Sequence, residues 1–309
     1  HNVMACANLQ MLLGNMGVAG GGVNPLRGQN NVQGACDMGG LPNVYPAYQV
    51  VINPEVKSKF EKAWGVQGLP DKVGMTVTEM LPAAHDGRIR ALYVRGEDPL
   101  MSDPDLTHAR ASLEHLDFLV VQDILPTATS QIADVVLPAP SFAEKDGTFT
   151  NTERRVQRVR PAVPPPGEAR QEWEVLSELA TRMGYPMHYD SPAQIMEEVA
   201  SVAPSYGGIR HARLEKGGLQ WPCPNLEHPG TPILHVGKFS RGQGRFMAVQ
   251  HIPPAELPDD EYPLILTTGR VLFHYHGGEM SGRSAGLNAH YPAALVEIHP
   301  EDAQRMGIA

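Results

Sequence analysis

The chain has 309 residues, 42% of them hydrophobic and 19% charged, enough for two or three domains around a sizeable buried core. A formal net charge of -9 excludes nucleic acid as a general partner, because phosphate binding needs a net basic face, and no apolar run approaches the roughly 20 residues that span a bilayer. The three cysteines, Cys6, Cys36 and Cys223, have no C-x-x-C spacing, so they give neither a disulfide framework nor a zinc or iron–sulfur site; they read as buried thiols kept reduced in a cytoplasmic setting.

The apolar spacing from Val3 through Met11 and Leu12 reads as the middle of a helix without an N-cap, and the other end stops in or just after a helix that Pro300 begins. Both ends therefore read as cuts within a longer chain. Residues 14–40 are rich in Gly, Asn and Gln and form a structured loop. Within it, Pro25-Leu26-Arg27-Gly28-Gln29-Asn30-Asn31 sets one arginine among amides and glycines that cannot neutralise it. Its guanidinium either faces solvent or turns toward a carboxylate or phosphate, which it binds bidentately. The segment NPEVKSKFEKAW reads as a helix, and Thr76-Val77-Thr78-Glu79 is a capping box opening another, which Pro82 should kink or shorten.

A strand and helix alternation follows: ALYVRG (91–96), a helix begun by Ser102-Asp103-Pro104 with Leu106, Ala109, Leu113 and Leu116 on one face, LDFLVV (116–121) and ADVVLP (133–138). This is the pattern of a parallel α/β sheet, in which ligands sit beyond the carboxyl ends of the strands. Two such ends carry acids, at Gly96-Glu97-Asp98-Pro99 and at Gln122-Asp123. A carboxylate only accepts hydrogen bonds, so these loops suit ribose hydroxyls or the N–H edge of a guanine and repel phosphate; the alternative is that they cap the helices that follow. No glycine-rich dinucleotide fingerprint or P-loop accompanies them.

In TFTNTERRVQRVRPAV, alternating charge suggests an exposed strand, with Arg154, Arg155, Arg158 and Arg160 as a solvated basic face or a docking surface. PAVPPPGEA is a stiff link, Trp173, Leu176, Leu179, Ala180 and Met183 mark an amphipathic helix, and Ser191-Pro192 starts another. Residues 203–255 are mostly turns, and YPLILTTGR (262–270) resumes a strand pattern that opens a separate β domain. His274 and His276 fall on one face of a strand, but with no third ligand nearby they suit hydrogen bonding rather than metal.

Taken in order, PLRGQNNVQGACDMG, MTVTEML, ALYVRGEDPLMSDPD, DFLVVQDI, ADVVLPAPSFAEKDGTFTNTERRVQ and PLILTTGRVLFHYH resemble the catalytic subunit of molybdenum- or tungsten-dependent formate dehydrogenases over essentially the whole chain. The resemblance implies an α/β fold with a parallel-sheet nucleotide-binding domain. It implies that 1–29 close a metal-site α/β domain and that 30–145, with 171–192 returning to it, bind guanine dinucleotide. Residues 146–170 and 193–255 would pack toward an iron–sulfur domain, and 256–309 would begin a β-barrel cap. It implies oxidation of formate to carbon dioxide at a bis(molybdopterin guanine dinucleotide) centre with Mo or W, a [4Fe-4S] cluster, and iron–sulfur and flavin/NAD-reducing subunits as partners. Arg27 matches the family's active-site arginine, with Gly28 and Gln29 in the same pocket. Gly96, Glu97, Asp98, Gln122 and Asp123 would hold one guanine dinucleotide, with Thr268, Gly269, Arg270 and His276 approaching from the cap. The ligands to the metal and to the cluster would lie upstream of His1, so this segment alone is expected to hold no metal and to be inactive. A nitrate-reductase-like enzyme of the same scaffold and a non-catalytic scaffold subunit are the alternatives. Two loops depart from the family pattern, at Leu125-Pro126-Thr127-Ala128 and at Gly277-Gly278-Glu279.

Overall fold

A computed structural model describes residues 1–308. Helix α1 (Asn2–Leu12) buries none of its residues, and the glycine-rich loop after it leads to the short helix α2 (Val32–Asp37). A small antiparallel pair, β1 (Val44–Tyr45) with β2 (Gln49–Val50), packs on α3 (Pro54–Trp64). Asn53 caps that helix by accepting from Glu55 N, and Phe60 stacks on Tyr45 with ring centroids 4.8 Å apart.

Helix α4 (Val77–His85) opens on the expected capping box, Thr76 N donating to Glu79 Oε2 over 2.7 Å. Pro82 does not end it. Proline withdraws only the one N–H that would have bonded the preceding turn, and burial of Leu81, Ala83 and Ala84 holds the helix through His85.

Strands β3 (Ala91–Arg95), β4 (Phe118–Asp123) and β5 (Val135–Pro138) form a parallel sheet in sequence order, with Leu92 beside Leu119 and Val121 beside Val136. Between β3 and β4 lie α5 (Pro99–Ser102) and α6 (Leu106–Glu114). Ser102 does not begin α6; Asp105 does, its carboxylate accepting from His108 N over 3.0 Å, because Pro99 has already started a separate turn. Leu81, Leu100, Ala109 and Leu113 cover one face of the sheet through Leu119 and Val121. The opposite face is only partly covered: Phe118 is 45% exposed and Val135 36%, whereas Gln122 on the same face is buried. Parallel sheets ordinarily have both faces covered.

Beyond the sheet, β6 (Gly147–Thr150) and β7 (Arg155–Val159) form a hairpin joined by β8 (Leu219–Gln220). The basic run here is not a solvated face. Arg158 pairs with Asp146 and Glu215, Arg160 with Glu215 and Arg155 with Glu153, while the Arg154 guanidinium is turned inward to donate to the carbonyls of Trp221, Thr231 and Pro232. Helix α7 (Glu172–Arg182) leaves Leu176 and Leu179 about 40% exposed, whereas α8 (Pro192–Val202) buries Met196, Ala200 and Val202. The described part of 256–308 holds helices α9 (Ala285–His290) and α10 (Pro300–Arg305) and no strand. The expected strand at 262–270 lies exposed, since a strand needs a neighbour for its backbone N–H and C=O groups and none runs beside it. In all, the chain exposes 20659 Å², against about 12,700 Å² for a compact monomer of this size. Of the three thiols expected to be buried, only Cys223 is; Cys36 is half-buried and Cys6 exposed, on a helix that packs against little.

Candidate active site

The carboxyl ends of β3 and β4 lie side by side, with Arg95 in register with Gln122, and Gly96 N donates to Gln122 O over 3.0 Å. Gly96 turns the chain at this rim with φ +65, and open space stands where a Cβ would be, so a ligand can come close to its backbone.

The acids on this rim do different things. Asp98 is 6% exposed; its Oδ1 accepts from Thr129 N (3.0 Å) and Thr129 Oγ1 (2.6 Å), and its Oδ2 from Ala128 N (3.1 Å). Of the two readings of its side chain from sequence, the cap on α5 is not seen; the carboxylate instead fastens the first rim loop to the second. Glu97 and Asp123 keep oxygen atoms available. Glu97 is held above the usual carboxylate range, first by burial and then by the neighbouring carboxylates of Glu279 and Asp123, with His276 opposing. Asp123 is raised as well, mainly by burial, against the N–H groups of Leu125 and Ile124 that bond it.

A folded-state value above the unfolded one means that the fold holds the proton more tightly. That stabilisation is complete below the unfolded carboxylate range and is lost as pH rises through the raised values. The Glu97→Gln protein, free of cofactor, is therefore expected to melt above wild type at neutral pH and together with it near pH ~4. Melting curves that differ equally at both pH values would show that ionisation of Glu97 is not strained.

Between these acids, Gln122 is fully buried. Its Oε1 accepts from the Tyr93 hydroxyl over 2.8 Å, but its Nε2 has no partner among the described residues. A buried amide N–H left without an acceptor costs about 1–3 kcal/mol, so this donor calls for a ligand oxygen.

A second segment, 275–283, joins this rim to the arginine loop. The Tyr275 hydroxyl donates to Gly28 O, and His276, at φ +52, packs so closely that a Cβ on Gly28 would stand 2.6 Å from its Cε1. A side chain at 28 would have to push the His276 ring aside. Arg283 donates to Pro126 O and faces Asp123. Arg27 and Gln29 are exposed, and Arg27 forms no ion pair among the described residues. Thr268, Gly269 and Arg270 are exposed and are not brought to the rim by any hydrogen bond among the described residues; of that group His276 alone lies near enough to Glu97 for its charge to act on that carboxylate. Arg283 and Thr129 escaped the reading of the sequence, where they stand in turns with no periodicity to mark them, and Glu279 was marked there only as a departure from the family pattern.

Behind the arginine loop lies a buried hub. Asp37 is fully buried and accepts from Gln33 Nε2 (2.8 Å), Tyr206 OH (2.5 Å) and Trp221 Nε1 (2.6 Å). Burial and then the Asp37 carboxylate push the Tyr206 phenol well up, keeping it a donor. The Arg154 guanidinium lies 5.4 Å over the Trp221 ring. The RGQNNVQGACDMG and TNTERRVQ blocks thus meet in one buried polar network. Among the described residues no group of three or more His, Cys, Asp or Glu is placed to hold a metal ion.

An α/β rim of acceptors and an exposed arginine without an ion pair among the described residues, joined through a glycine, is a layout suited to a nucleotide-bearing cofactor beside an anionic substrate. A profile described as Molybdopterin oxidoreductase matches residues 1–182, and one described as Molydopterin dinucleotide binding domain matches 264–309. The chain belongs to the molybdopterin oxidoreductase family. It is 49% identical to the F420-dependent formate dehydrogenase 1 subunit alpha of Methanococcus maripaludis, over 100% of this chain and 46% of that protein. It is 42% identical to formate dehydrogenase H of Escherichia coli, over 100% of this chain and 44% of that protein. The chain therefore spans about half the length of these curated relatives. Among solved structures, acetylene hydratase from Pelobacter acetylenicus shares the fold at a TM-score of 0.53 and 20% identity, over 82% of this chain and 38% of that one.

Proposed function

We propose that this chain is the part of a formate dehydrogenase catalytic subunit that holds a bis(molybdopterin guanine dinucleotide) cofactor with Mo or W and presents Arg27 to formate. The observation that carries the proposal is the join between Arg27 and the rim: Gly28 is clamped by Tyr275 and His276, and His276 faces Glu97. The residues fit the group. The unpartnered Gln122 Nε2 suits a carbonyl or hydroxyl oxygen of a nucleotide, and Glu97 and Asp123 suit its N–H and O–H donors. Gly96 lets the backbone come close, and Thr268, Gly269, Arg270 and His276 approach the same nucleotide, while Asp98 acts through Thr129 rather than by contact.

When bound, the cofactor supplies a metal centre that takes up two electrons. This chain's contribution to the reaction is placement: the Arg27 fork holds the formate carboxylate by two charge-assisted hydrogen bonds and leaves the C–H bond directed away from the guanidinium. Gly28 and Gln29 line that pocket. A [4Fe-4S] cluster, with ligands that this chain does not supply, would accept those electrons for iron–sulfur and flavin/NAD-reducing subunits in the cytoplasm; the names of the Methanococcus relatives point to an F420-linked acceptor as the other choice. No described helix is long and apolar enough to cross a membrane.

The test is the full-length protein, purified with its cofactor. Formate is expected to reduce an artificial dye, and acid is expected to release guanine nucleotide together with molybdenum or tungsten. A protein that oxidises the reduced dye with nitrate and does not reduce it with formate would overturn the reading.

A further inference from the structure

We infer that Asn31 is a positioning residue for Arg27, locking the arginine loop to the β6–β7 hairpin; this rests on the reading of Arg27 as the carboxylate clamp. Asn31 stands four positions after Arg27, where the loop enters α2, and it takes the left-handed conformation, φ 60 and ψ 11. Asparagine tolerates that region far better than most residues. A residue at the start of a helix ordinarily spends its side chain on that helix, but Asn31 makes no such bond. Its Oδ1 instead accepts from Thr150 N over 2.9 Å, a partner 119 positions along the chain and 4% exposed.

The neighbouring sequence is shaped to the same contact. Gly34 sits so close that a Cβ there would stand 2.1 Å from Asn31 Oδ1 and 3.3 Å from Thr150 Oγ1. Any side chain at 34 would drive the amide off the hairpin. The loop that carries Arg27 is thus held at two points, Gly28 by the Tyr275 hydroxyl and Asn31 by Thr150, with the exposed arginine outside them. Fixing the backbone at two points directly after a long, flexible side chain narrows where its planar end can reach, which is what a bidentate clamp needs.

The experiment uses the full-length holoenzyme with formate and a dye acceptor. Asn31→Gly keeps the backbone conformation and removes only the acceptor; kcat/KM is expected to fall ~3- to 10-fold with metal content unchanged, the loss of one hydrogen bond to a buried donor. Asn31→Asp keeps both the acceptor and the conformational tolerance and is expected to restore most of the rate. In an Arg27→Lys background, Asn31→Gly is expected to add no further loss, because a positioning residue has nothing left to position. If Asn31→Gly matches wild type, or if its loss adds fully to that of Arg27→Lys, the lock is overturned. If Arg27→Lys itself matches wild type, it is the clamp reading of Arg27 that fails. Gly34→Ala breaks the same contact from the other side and gives the same readout should Asn31→Gly yield no holoenzyme; if neither yields it, the contact serves folding alone and the proposal is wrong.

Discussion

Replacing Asp37 with asparagine is expected to lower the unfolding free energy by about 3 kcal/mol. The side chain is fully buried and receives three donors, from Gln33, Tyr206 and Trp221. Asparagine keeps the volume but exchanges one acceptor oxygen for a donor NH2. At least one buried donor then faces another donor, and the burial that holds Tyr206 as a phenol prevents it from adapting by ionising. Nor can water readily take over, since Asp37 is fully buried and Tyr206 belongs to a core cluster with Cys223, Ile209 and Ala203. Denaturant unfolding of the Asp37→Asn protein should show the lower midpoint without a lower slope. A midpoint within error of wild type would mean that the three contacts do not act together. The same variant should also loosen the start of α2 and, through Asn31, the arginine loop.

The second large effect is expected at Arg27. In the full-length enzyme, Arg27→Lys keeps the positive charge and loses the planar fork, so a carboxylate held at two oxygens would be held at one. The loss is about 1–3 kcal/mol of transition-state stabilisation, on the order of 5- to 150-fold in kcat/KM. Steady-state kinetics with formate at constant metal content measures it. Because Arg27 is exposed and forms no ion pair among the described residues, the substitution should leave thermal stability unchanged. A drop in melting temperature that matches the drop in rate would make Arg27 a structural residue instead.

The parallel sheet was legible because its strands are continuous apolar runs with β-branched residues, and such runs state their own conformation. The capping box at Thr76 and Glu79 was legible for the same reason: both partners lie within one turn. Residues whose meaning depends on a distant partner were not. Asp98 carries one carboxylate that could cap, bind a ligand or clamp a loop, and what decides is Thr129, thirty-one positions on. The basic run at Arg154–Arg160 looked solvated because Glu215, which receives two of its members, lies more than fifty positions away. The stretch 262–270 has the composition of a strand, yet a strand is a relation between two segments, and its partner is not beside it. Arg27 was picked out by chemistry alone, an uncompensated charge among amides, whereas the bond from Thr150 to Asn31 joins residues 119 positions apart and leaves no local pattern.

The reach of the Asp37 hub also sets an order of events. The contacts that build the α/β sheet join neighbours along the chain, such as Arg95 with Gln122, and can form as soon as that stretch is made. Asp37 must wait for Trp221, 184 residues later. At roughly 5–20 residues per second, that is about 10 to 40 s of synthesis during which the carboxylate stays in water. The arginine loop waits with it, since Thr150, its anchor, is held by the same hairpin that Trp221 completes. The arginine loop is therefore anchored to the hairpin only after the loops at the carboxyl ends of β3 and β4 can meet, and the 275–283 segment that joins the two is made later still.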